Sequence, residues 1–293
     1  MKRINTAVQL LRIPHWIKNG FVFAPVMFAG KLGDIPVLLR VLAAFAVFCA
    51  CSSAVYIFND VLDRNSDRNH PEKSKRPVAS GQVPLPTACA VSCILALAAA
   101  GGALCISVSF FTVAALYIGV NILYSLWLKH AVIIDIFCIA FGFVLRVLGG
   151  GYAAGVEHSS WILICTILLA LFLGFSKRRN ELTVLGADSE NHRKILAEYS
   201  IGFLDQMISI VTACTVISYM LYTVSEETVA KFGTRNLIFT SVFVLYGIFR
   251  YLYLIYQKGK GGSPTRIMLT DIPLMINVLL WAVVSALIVH IYT

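Results

Sequence analysis

The sequence predicts an all-α protein that crosses a membrane several times, and three observations lead to this prediction. Of the 293 residues, 58% are hydrophobic and only 13% are charged. The mean hydropathy is +0.80, which is typical of polytopic membrane proteins. The 52 residues 77–128 include no Asp, Glu, Lys, Arg or His, and as a helix they would be roughly 78 Å long, enough for two bilayer crossings. We expect about nine transmembrane helices in one domain, 1–293.

Charged residues mark where most of the predicted helices begin and end. The basic start of the chain precedes the first helix, an acidic run follows the second, and the uncharged stretch supplies the third and fourth. Arg146 falls inside the fifth, the sixth ends before Lys177, and Arg250 falls inside the eighth. The predicted helices lie near residues 17–33, 38–58, 86–107, 110–128, 131–150, 159–176, 206–225, 236–256 and 272–292.

The distribution of basic residues predicts the orientation. Of the 24 Lys and Arg residues, 18 fall on one side of the predicted helices, 4 on the other and 2 inside them. Because Lys and Arg are enriched in cytoplasmic loops, we expect the N-terminus, the acidic run and the loop 176–205 at the cytoplasmic face, and the C-terminus outside. The net charge of +9 is then largely an orientation signal. It argues against nucleic-acid binding and leaves cations available for phosphate groups.

The acidic run places carboxylates where an apolar chain tolerates few charges. If the second helix continues through the run, Asn59, Asp60, Asp63 and Asp67 lie within roughly 100° of one another on the helical wheel. Clustered carboxylates repel one another unless a cation neutralises them. A hard ion, Mg²⁺ with Mn²⁺ as a substitute, held by these four side chains and completed by substrate phosphates, is the simplest solution.

Basic residues follow the carboxylates in the same loop. Together with Mg²⁺ they would form a diphosphate-binding site, to which a histidine adds one hydrogen bond. The alternative is that they are ordinary positive-inside residues paired with nearby aspartates. The candidate phosphate ligands in this loop are Arg68, His70, Lys73 and Arg76.

A second charged segment ends the sixth predicted helix. Lys177 and Glu181 are four residues apart, and Arg178 and Glu181 are three apart, so a helix would place all three on one face. The alternative is an intrahelical salt bridge at the membrane boundary. Because both charged loops are predicted on the same side of the membrane, we favour the interpretation that they form two halves of one site.

Three further charges fall within or beside predicted helices. Arg146 lies deep in the fifth, where an ionisable residue is costly enough to be a functional hypothesis by default. Asp135 shares its helical face but lies roughly 16 Å away along the axis, so each of the two needs another partner. Lys129, at the cytoplasmic end of the fourth helix, either snorkels to the headgroups or reaches the diphosphate-binding site.

Taken together, these residues resemble the UbiA superfamily of intramembrane prenyltransferases, and more closely its decaprenyl-phosphate phosphoribosyltransferase branch. The resemblance covers nearly the whole chain, and its acidic motif is highly specific. The resemblance alone gives Lys18 and Asn19 a role in the site. The motifs that carry it, in chain order, are Trp16-Ile17-Lys18-Asn19, Asn59-Asp60-x-x-Asp63-x-x-x-Asp67-Arg68-x-His70-Pro71-x-Lys73-x-x-Arg76-Pro77, Tyr124-Ser125 with Lys129, Gly142-Phe143-x-x-Arg146, Lys177-Arg178-x-x-Glu181-Leu182, Gly261-Gly262-Ser263-Pro264 and Asp271-x-Pro273.

One departure from the wider superfamily is informative. Its aromatic prenyltransferases carry a second Asp-rich motif after the sixth helix, where this chain has Lys177-Arg178-Arg179-Asn180-Glu181 with a single carboxylate. A more cationic second half suits phosphoribosyl pyrophosphate, which carries a 5-phosphate besides its diphosphate. A polyprenyl phosphate acceptor would add another anion.

The resemblance implies Mg²⁺-dependent transfer of 5-phosphoribose from phosphoribosyl pyrophosphate to a decaprenyl-like polyprenyl phosphate, with release of pyrophosphate, at the cytoplasmic face of a bacterial plasma membrane. Asp60, Asp63, Asp67 and Arg146 would be its catalytic residues. Two alternatives stay open. An aromatic or quinone-precursor prenyltransferase would use the same metal site to ionise a prenyl diphosphate. A transporter or lipid-binding protein would use the acidic loop only to bind cations.

Overall fold

The computed structural model describes residues 2–69, 73–185, 194–262 and 264–292. Helices make up nearly all of these ranges, which confirms the predicted all-α class. The α-helices are α1 (Lys2–Leu10), α2 (Ala24–Phe28), α3 (Ile35–Leu62), α4 (Arg64–Arg68), α5 (Leu85–Ile106), α6 (Val108–Leu126), α7 (Ile134–Ala154), α8 (Ser160–Leu185), α9 (Ile201–Val224), α10 (Glu226–Phe232), α11 (Ser241–Tyr256), α12 (Pro264–Thr270) and α13 (Ile272–Tyr292). Short 3₁₀ helices lie at Ile13–Phe23, Lys73–Lys75, Leu128–His130, Lys194–Glu198 and Asn236–Thr240.

Within the described ranges, 8 helices are long and apolar enough to cross a membrane, the seventh of them including the 3₁₀ turn before α11. They correspond to the second through ninth predicted helices. Large apolar side chains remain exposed along them, as lipid-facing surfaces require. The main difference in length is α8, which continues to Leu185 instead of ending near residue 176.

The first predicted helix, 17–33, has a different structure. Residues Ile13–Phe23 form a 3₁₀ helix, which α2 extends. At about 2.0 Å per residue in the first and 1.5 Å in the second, the two together cover about 30 Å. This segment, 13–28, starts beside Asp60 near the end of α3 and finishes with Phe28 packed against Tyr222 near the end of α9. In the described part of the chain it is therefore a ninth pass through the bundle.

Helix α7 lies at the centre of the bundle. In the most apolar stretch of α7, 67% of the residues are buried, whereas in that of α5 only 11% are buried. Helix α5 therefore lies at the periphery. Ile136, Ala140 and Phe143 belong to a core shared with α8, α9 and α11. Leu145 and Ala153 belong to a second core shared with segment 13–28, α3, α5 and α6. Charged and polar side chains on α7 therefore lie between two hydrophobic cores.

Consecutive glycines let the neighbours of α7 approach closely. A Cβ at Gly149 would lie 2.6 Å from the ring of Phe48, and one at Gly150 would lie 2.0 Å from the carbonyl oxygen of Val22. Both distances are too short for real atoms. Gly150 therefore permits the backbone contact that holds segment 13–28 against α7.

Candidate active site

The acidic run forms a break between two helices. Helix α3 ends at Leu62, and Asp63, with φ −87° and ψ 5°, separates it from α4. The continuous helix considered as one possibility for this run is therefore interrupted at Asp63. Asp60 and Asp67 nevertheless converge, because Nη1 of Arg76 donates to both carboxylates, at 3.0 Å and 2.6 Å. Both aspartates are buried, with 2% and 3% of their surface exposed.

Each aspartate has a basic partner from elsewhere in the chain. Oδ1 of Asp60 accepts from Arg12 as well as from Arg76. Asp63 accepts from Nζ of Lys129 at 2.7 Å and from Nδ2 of Asn59 at 2.9 Å. Lys129 therefore reaches the acidic cluster, the second of its two predicted alternatives. We call this end of the bundle the charged end.

The charged end offers the ligand atoms that a hard divalent cation prefers. The metal-ligand candidates Asn59, Asp60, Asp63 and Asp67 offer only oxygen donors of the type that Mg²⁺ prefers. One cationic nitrogen, Nη1 of Arg76, bridges the carboxylates of Asp60 and Asp67, so a positive charge already lies between them. In the ranges that the structure describes, no three His, Cys, Asp or Glu side chains lie together as a metal-binding group. The residues fit the ion because they offer oxygen ligands. A metal would have to displace the basic side chains that bind these carboxylates.

Of the three other predicted phosphate ligands in the first loop, two lie within the described residues. The exposed Arg68 donates through Nε to the carbonyl oxygen of Ala79 at 3.1 Å. Lys73 is half-buried in its short 3₁₀ helix. His70 lies outside the described residues. The phosphate roles of these three remain predictions from the sequence.

Helix α8 carries the second charged segment, and the predicted pairing is present. Nζ of Lys177 lies 3.4 Å from Glu181, and Nη1 of Arg178 lies 2.6 Å from the same carboxylate. Nε of Arg178 also bonds to Asp135 on α7 at 2.8 Å, and Asp135 accepts from the hydroxyl of Tyr199 at 3.1 Å. The Arg178 side chain is 2% exposed. Its contacts describe a buried ion pair between helices and do not favour the predicted phosphate role.

Each of the three guanidinium nitrogens of Arg146 donates a hydrogen bond. Nε donates to Oδ1 of Asn19 at 2.7 Å, Nη1 to the carbonyl oxygen of Gly142 at 2.8 Å, and Nη2 to the hydroxyl of Tyr117 at 2.8 Å. The guanidinium also lies over the rings of Tyr117 and Phe143. All three acceptors are neutral, so the positive charge of Arg146 has no carboxylate partner among the described residues. Asn19, predicted as a site residue, positions this arginine.

Basic side chains lie around Tyr56, one helical turn before Asp60. The guanidinium carbon of Arg12 lies 4.8 Å from the Tyr56 ring centroid, and the His15 ring lies 5.6 Å away. The side chains of Lys18, predicted from resemblance, and Tyr56 are within hydrogen-bonding distance, and Lys177 and Arg146 lie close enough to Lys18 to interact with it electrostatically. Arg12, His15 and Tyr56 were not predicted, because no local spacing links them to the acidic run.

Three buried polar atoms at the charged end have no protein partner in the described ranges. They are Nδ1 of His15, Nε of Arg64 and Oγ of Ser176, which directly precedes Lys177. Buried polar atoms are nearly always hydrogen-bonded. Their presence beside surplus cations indicates a place for a polar, anionic ligand.

An apolar chamber adjoins the charged end. It is a cavity of about 480 Å³ between segment 13–28 and helices α8, α9, α11 and α13. Ile17, Gly20 and Phe21 line it, and they flank Lys18 and Asn19 in the sequence. The remaining wall is mostly aromatic and aliphatic, including Trp161, Tyr219, Tyr251 and Trp281. One short segment therefore contributes to both a cationic site and a hydrophobic cavity.

A family model described as the UbiA prenyltransferase family matches residues 20–272. The chain belongs to the UbiA prenyltransferase family. As a UbiA protein it is an integral membrane transferase. It is 31% identical to the decaprenyl-phosphate phosphoribosyltransferase of Mycolicibacterium smegmatis, over 95% of this chain and 90% of that protein. It is also 31% identical to the decaprenyl-phosphate phosphoribosyltransferase of Corynebacterium glutamicum, over 97% of this chain and 86% of that one.

The UbiA fold is also evident from solved structures. A UbiA homolog from Archaeoglobus fulgidus, bound to GPP and Mg²⁺, superposes with a TM-score of 0.72. The two sequences are 19% identical, and the match covers 97% of this chain and 99% of the other. The predicted architecture is thereby confirmed over almost the entire length.

Proposed function

We propose that this protein transfers 5-phosphoribose from phosphoribosyl pyrophosphate to a polyprenyl phosphate and releases pyrophosphate. The reaction depends on Mg²⁺, for which Mn²⁺ can substitute, and takes place at the cytoplasmic face of a bacterial plasma membrane. The charged end holds the donor, and the apolar chamber holds the first part of the polyprenyl tail.

The observation that carries this proposal is the surplus of cations at the charged end. Asp60, Asp63 and Asp67 are already matched by Arg12, Arg76 and Lys129. Lys18 and Arg146 add positive charge and have no carboxylate partner among the described residues. A metal would raise the positive charge further. The site therefore suits a substrate with several phosphates, and phosphoribosyl pyrophosphate together with a lipid phosphate supplies more negative charge than a prenyl diphosphate does.

The similarity to named relatives supports the same donor and acceptor. Two proteins called decaprenyl-phosphate phosphoribosyltransferase align over nearly the full length of the chain. The single-carboxylate second segment fits this comparison. Its one carboxylate, Glu181, is paired with both Lys177 and Arg178, so the segment offers positive charge and few metal ligands.

The side chains have distinct roles in the proposed reaction. Asp60, Asp63 and Asp67, with Asn59, would hold Mg²⁺, which stabilises negative charge on the departing pyrophosphate. Arg76, Lys18 and Lys177 bind phosphates and orient C1 of the ribose. The acceptor phosphate is already an anionic nucleophile near neutral pH, so no general base is required. Its oxygen attacks C1 as the bond from C1 to the pyrophosphate oxygen breaks, with inversion at C1.

The test is a transfer assay on purified protein in lipid nanodiscs. The protein is incubated with Mg²⁺, polyprenyl phosphate and phosphoribosyl pyrophosphate labelled in the ribose, and the label is followed into the organic phase. We expect label in the lipid fraction that is lost on chelation. A parallel reaction offers labelled geranyl diphosphate and an aromatic acid. Label transfer only in that second reaction would overturn the proposal in favour of an aromatic prenyltransferase.

Asp60→Asn provides the active-site control. It removes a ligand charge with little change in volume, so we expect turnover to fall by about a hundredfold or more. Asp205→Asn is the matched variant, since Asp205 pairs with Arg179 away from the acidic run. Near-normal transfer by Asp60→Asn at saturating Mg²⁺ would remove Asp60 from the metal site.

A further inference from the structure

Arg12 makes a contact that the proposed reaction does not require. It lies between α1 and the 3₁₀ helix Ile13–Phe23, and its guanidinium contacts Oδ1 of Asp60. That oxygen also accepts from Arg76. Asp60 is thus bound by two arginines, one of them from a segment 48 residues earlier in the chain.

The backbone of Arg12 adopts an uncommon conformation between two anchored neighbours. Its φ of 52° and ψ of 44° lie in the left-handed region, which residues other than Gly and Asn adopt rarely. The neighbouring residues are anchored to α3, since the carbonyl oxygen of Leu11 accepts from Ser53 at 2.8 Å and Trp16 donates to the same hydroxyl at 3.1 Å. An uncommon conformation that persists between two anchors points to a role for the side chain.

The charges at the acidic cluster are balanced without a metal. Asp60 and Asp67 face Arg12 and Arg76, and Asp63 faces Lys129. A divalent cation entering this buried cluster would add two positive charges that nothing in the described protein neutralises. Charge in a buried place is costly unless it is paired. The metal should therefore bind well only when an anion enters with it or when one of the basic partners leaves.

Arg12 is better placed to leave than Arg76. Arg76 bridges two carboxylates and can keep Asp67 when Asp60 turns to a metal. Arg12 has Asp60 as its one carboxylate partner among the described residues, and its guanidinium already lies over the ring of Tyr56. Lys18 and His15 also lie beside that ring. A phosphate bound next to Lys18 could therefore be contacted by Arg12 after a short movement over the ring.

We propose that Arg12 binds Oδ1 of Asp60 in the absence of ligands and moves to a phosphate of the donor when metal and donor bind together. Arg12 would thereby make metal binding and donor binding depend on each other. This inference rests on the proposed function for the identity of the donor, but the competition between Arg12 and a divalent cation does not.

The first experiment measures Mn²⁺ binding directly, from the electron paramagnetic resonance signal of free Mn²⁺ over purified protein without donor. Arg12→Gln removes the competing charge, and we expect Mn²⁺ to bind about tenfold more tightly than to wild type. Arg12→Lys keeps a charge and should bind Mn²⁺ nearly as weakly as wild type. Arg40→Gln is the matched control, because Arg40 is exposed near the opposite end of α3, and it should change nothing. Thermal unfolding of each variant checks that it is folded.

The second experiment measures phosphoribosyl transfer. We expect Arg12→Gln to raise the KM for phosphoribosyl pyrophosphate by about tenfold or more while the KM for the lipid stays within about twofold. Mn²⁺ affinity that is unchanged or weaker in folded Arg12→Gln would overturn the inference even if wild type transfers phosphoribose. Tighter Mn²⁺ binding in a protein that does not use phosphoribosyl pyrophosphate would instead overturn only the proposed donor.

Discussion

The guanidinium of Arg146 is fixed by acceptors from three parts of the chain. Asn19, Tyr117 and Gly142 each accept one hydrogen bond from it, and only a planar group with donors in several directions can serve all three. These contacts explain how a charge is tolerated at the centre of the bundle. They favour a role in holding segment 13–28 beside α6 and α7, and the predicted contact of Arg146 with phosphate gains no support from them.

We expect Arg146→Lys to lower stability, because an ammonium group cannot reproduce this geometry. Each hydrogen bond from a charged group that is lost costs about 1.5–3 kcal/mol. Tyr117→Phe removes one of the three bonds and should lower the midpoint of thermal unfolding by less. Transfer activity per folded molecule decides the role. If Arg146→Lys retains full stability but loses activity, Arg146 acts on the substrate and the positioning role is wrong.

At the scale of elements, the contact between segment 13–28 and α7 depends on the absence of one side chain. A Cβ at Gly150 would lie 2.0 Å from the carbonyl oxygen of Val22, and backbone on both sides leaves no flexible group to move aside. The 3₁₀ helix carries Lys18 and Asn19, so displacing it would also disturb the site.

We expect Gly150→Ala to lower the free energy of unfolding by about 1–3 kcal/mol or more, as overpacking does. Gly119→Ala is the matched control on α6, where a Cβ would meet nothing within 4 Å. There the better helix propensity of Ala should leave stability unchanged or raise it by up to about 1 kcal/mol. Denaturant titration in mixed micelles measures both. Equal effects of the two substitutions would show that the contact with Val22 is not limiting.

The elements differ in how far the sequence determines them. The long apolar helices follow from hydropathy alone, and the pairing of Lys177 and Arg178 with Glu181 follows from helical spacing, because both are local properties. The contacts of Arg12 with Asp60 and of Arg178 with Asp135 join residues more than 40 positions apart and depend on how the helices pack. The 3₁₀ helix Ile13–Phe23 was also missed, since tertiary contact with α7 overrides the α-helical pattern there.

At the scale of the whole molecule, nine passes would place the two chain ends on opposite sides of the membrane. Eight passes would place them on the same side, so the topology tests whether residues 13–28 cross. We expect a C-terminal alkaline phosphatase fusion to be active outside the cytoplasm and a C-terminal green fluorescent protein fusion to be dark. A phosphatase fusion after Lys75, in the acidic loop, should be inactive. A fluorescent C-terminus would contradict the ninth pass.

The cation surplus at the charged end also affects how the two substrates arrive. Unbalanced positive charge in a cleft with low-dielectric walls attracts anions over distances beyond contact and accelerates their capture. The reach of this attraction shrinks from about 30 Å at 0.01 M salt to about 10 Å at 0.1 M. A multiply charged, water-soluble donor would thus be drawn in electrostatically from the aqueous phase, at a rate set by ionic strength. A lipid acceptor would diffuse in the plane of the bilayer, so its encounter with the site would depend on membrane composition instead.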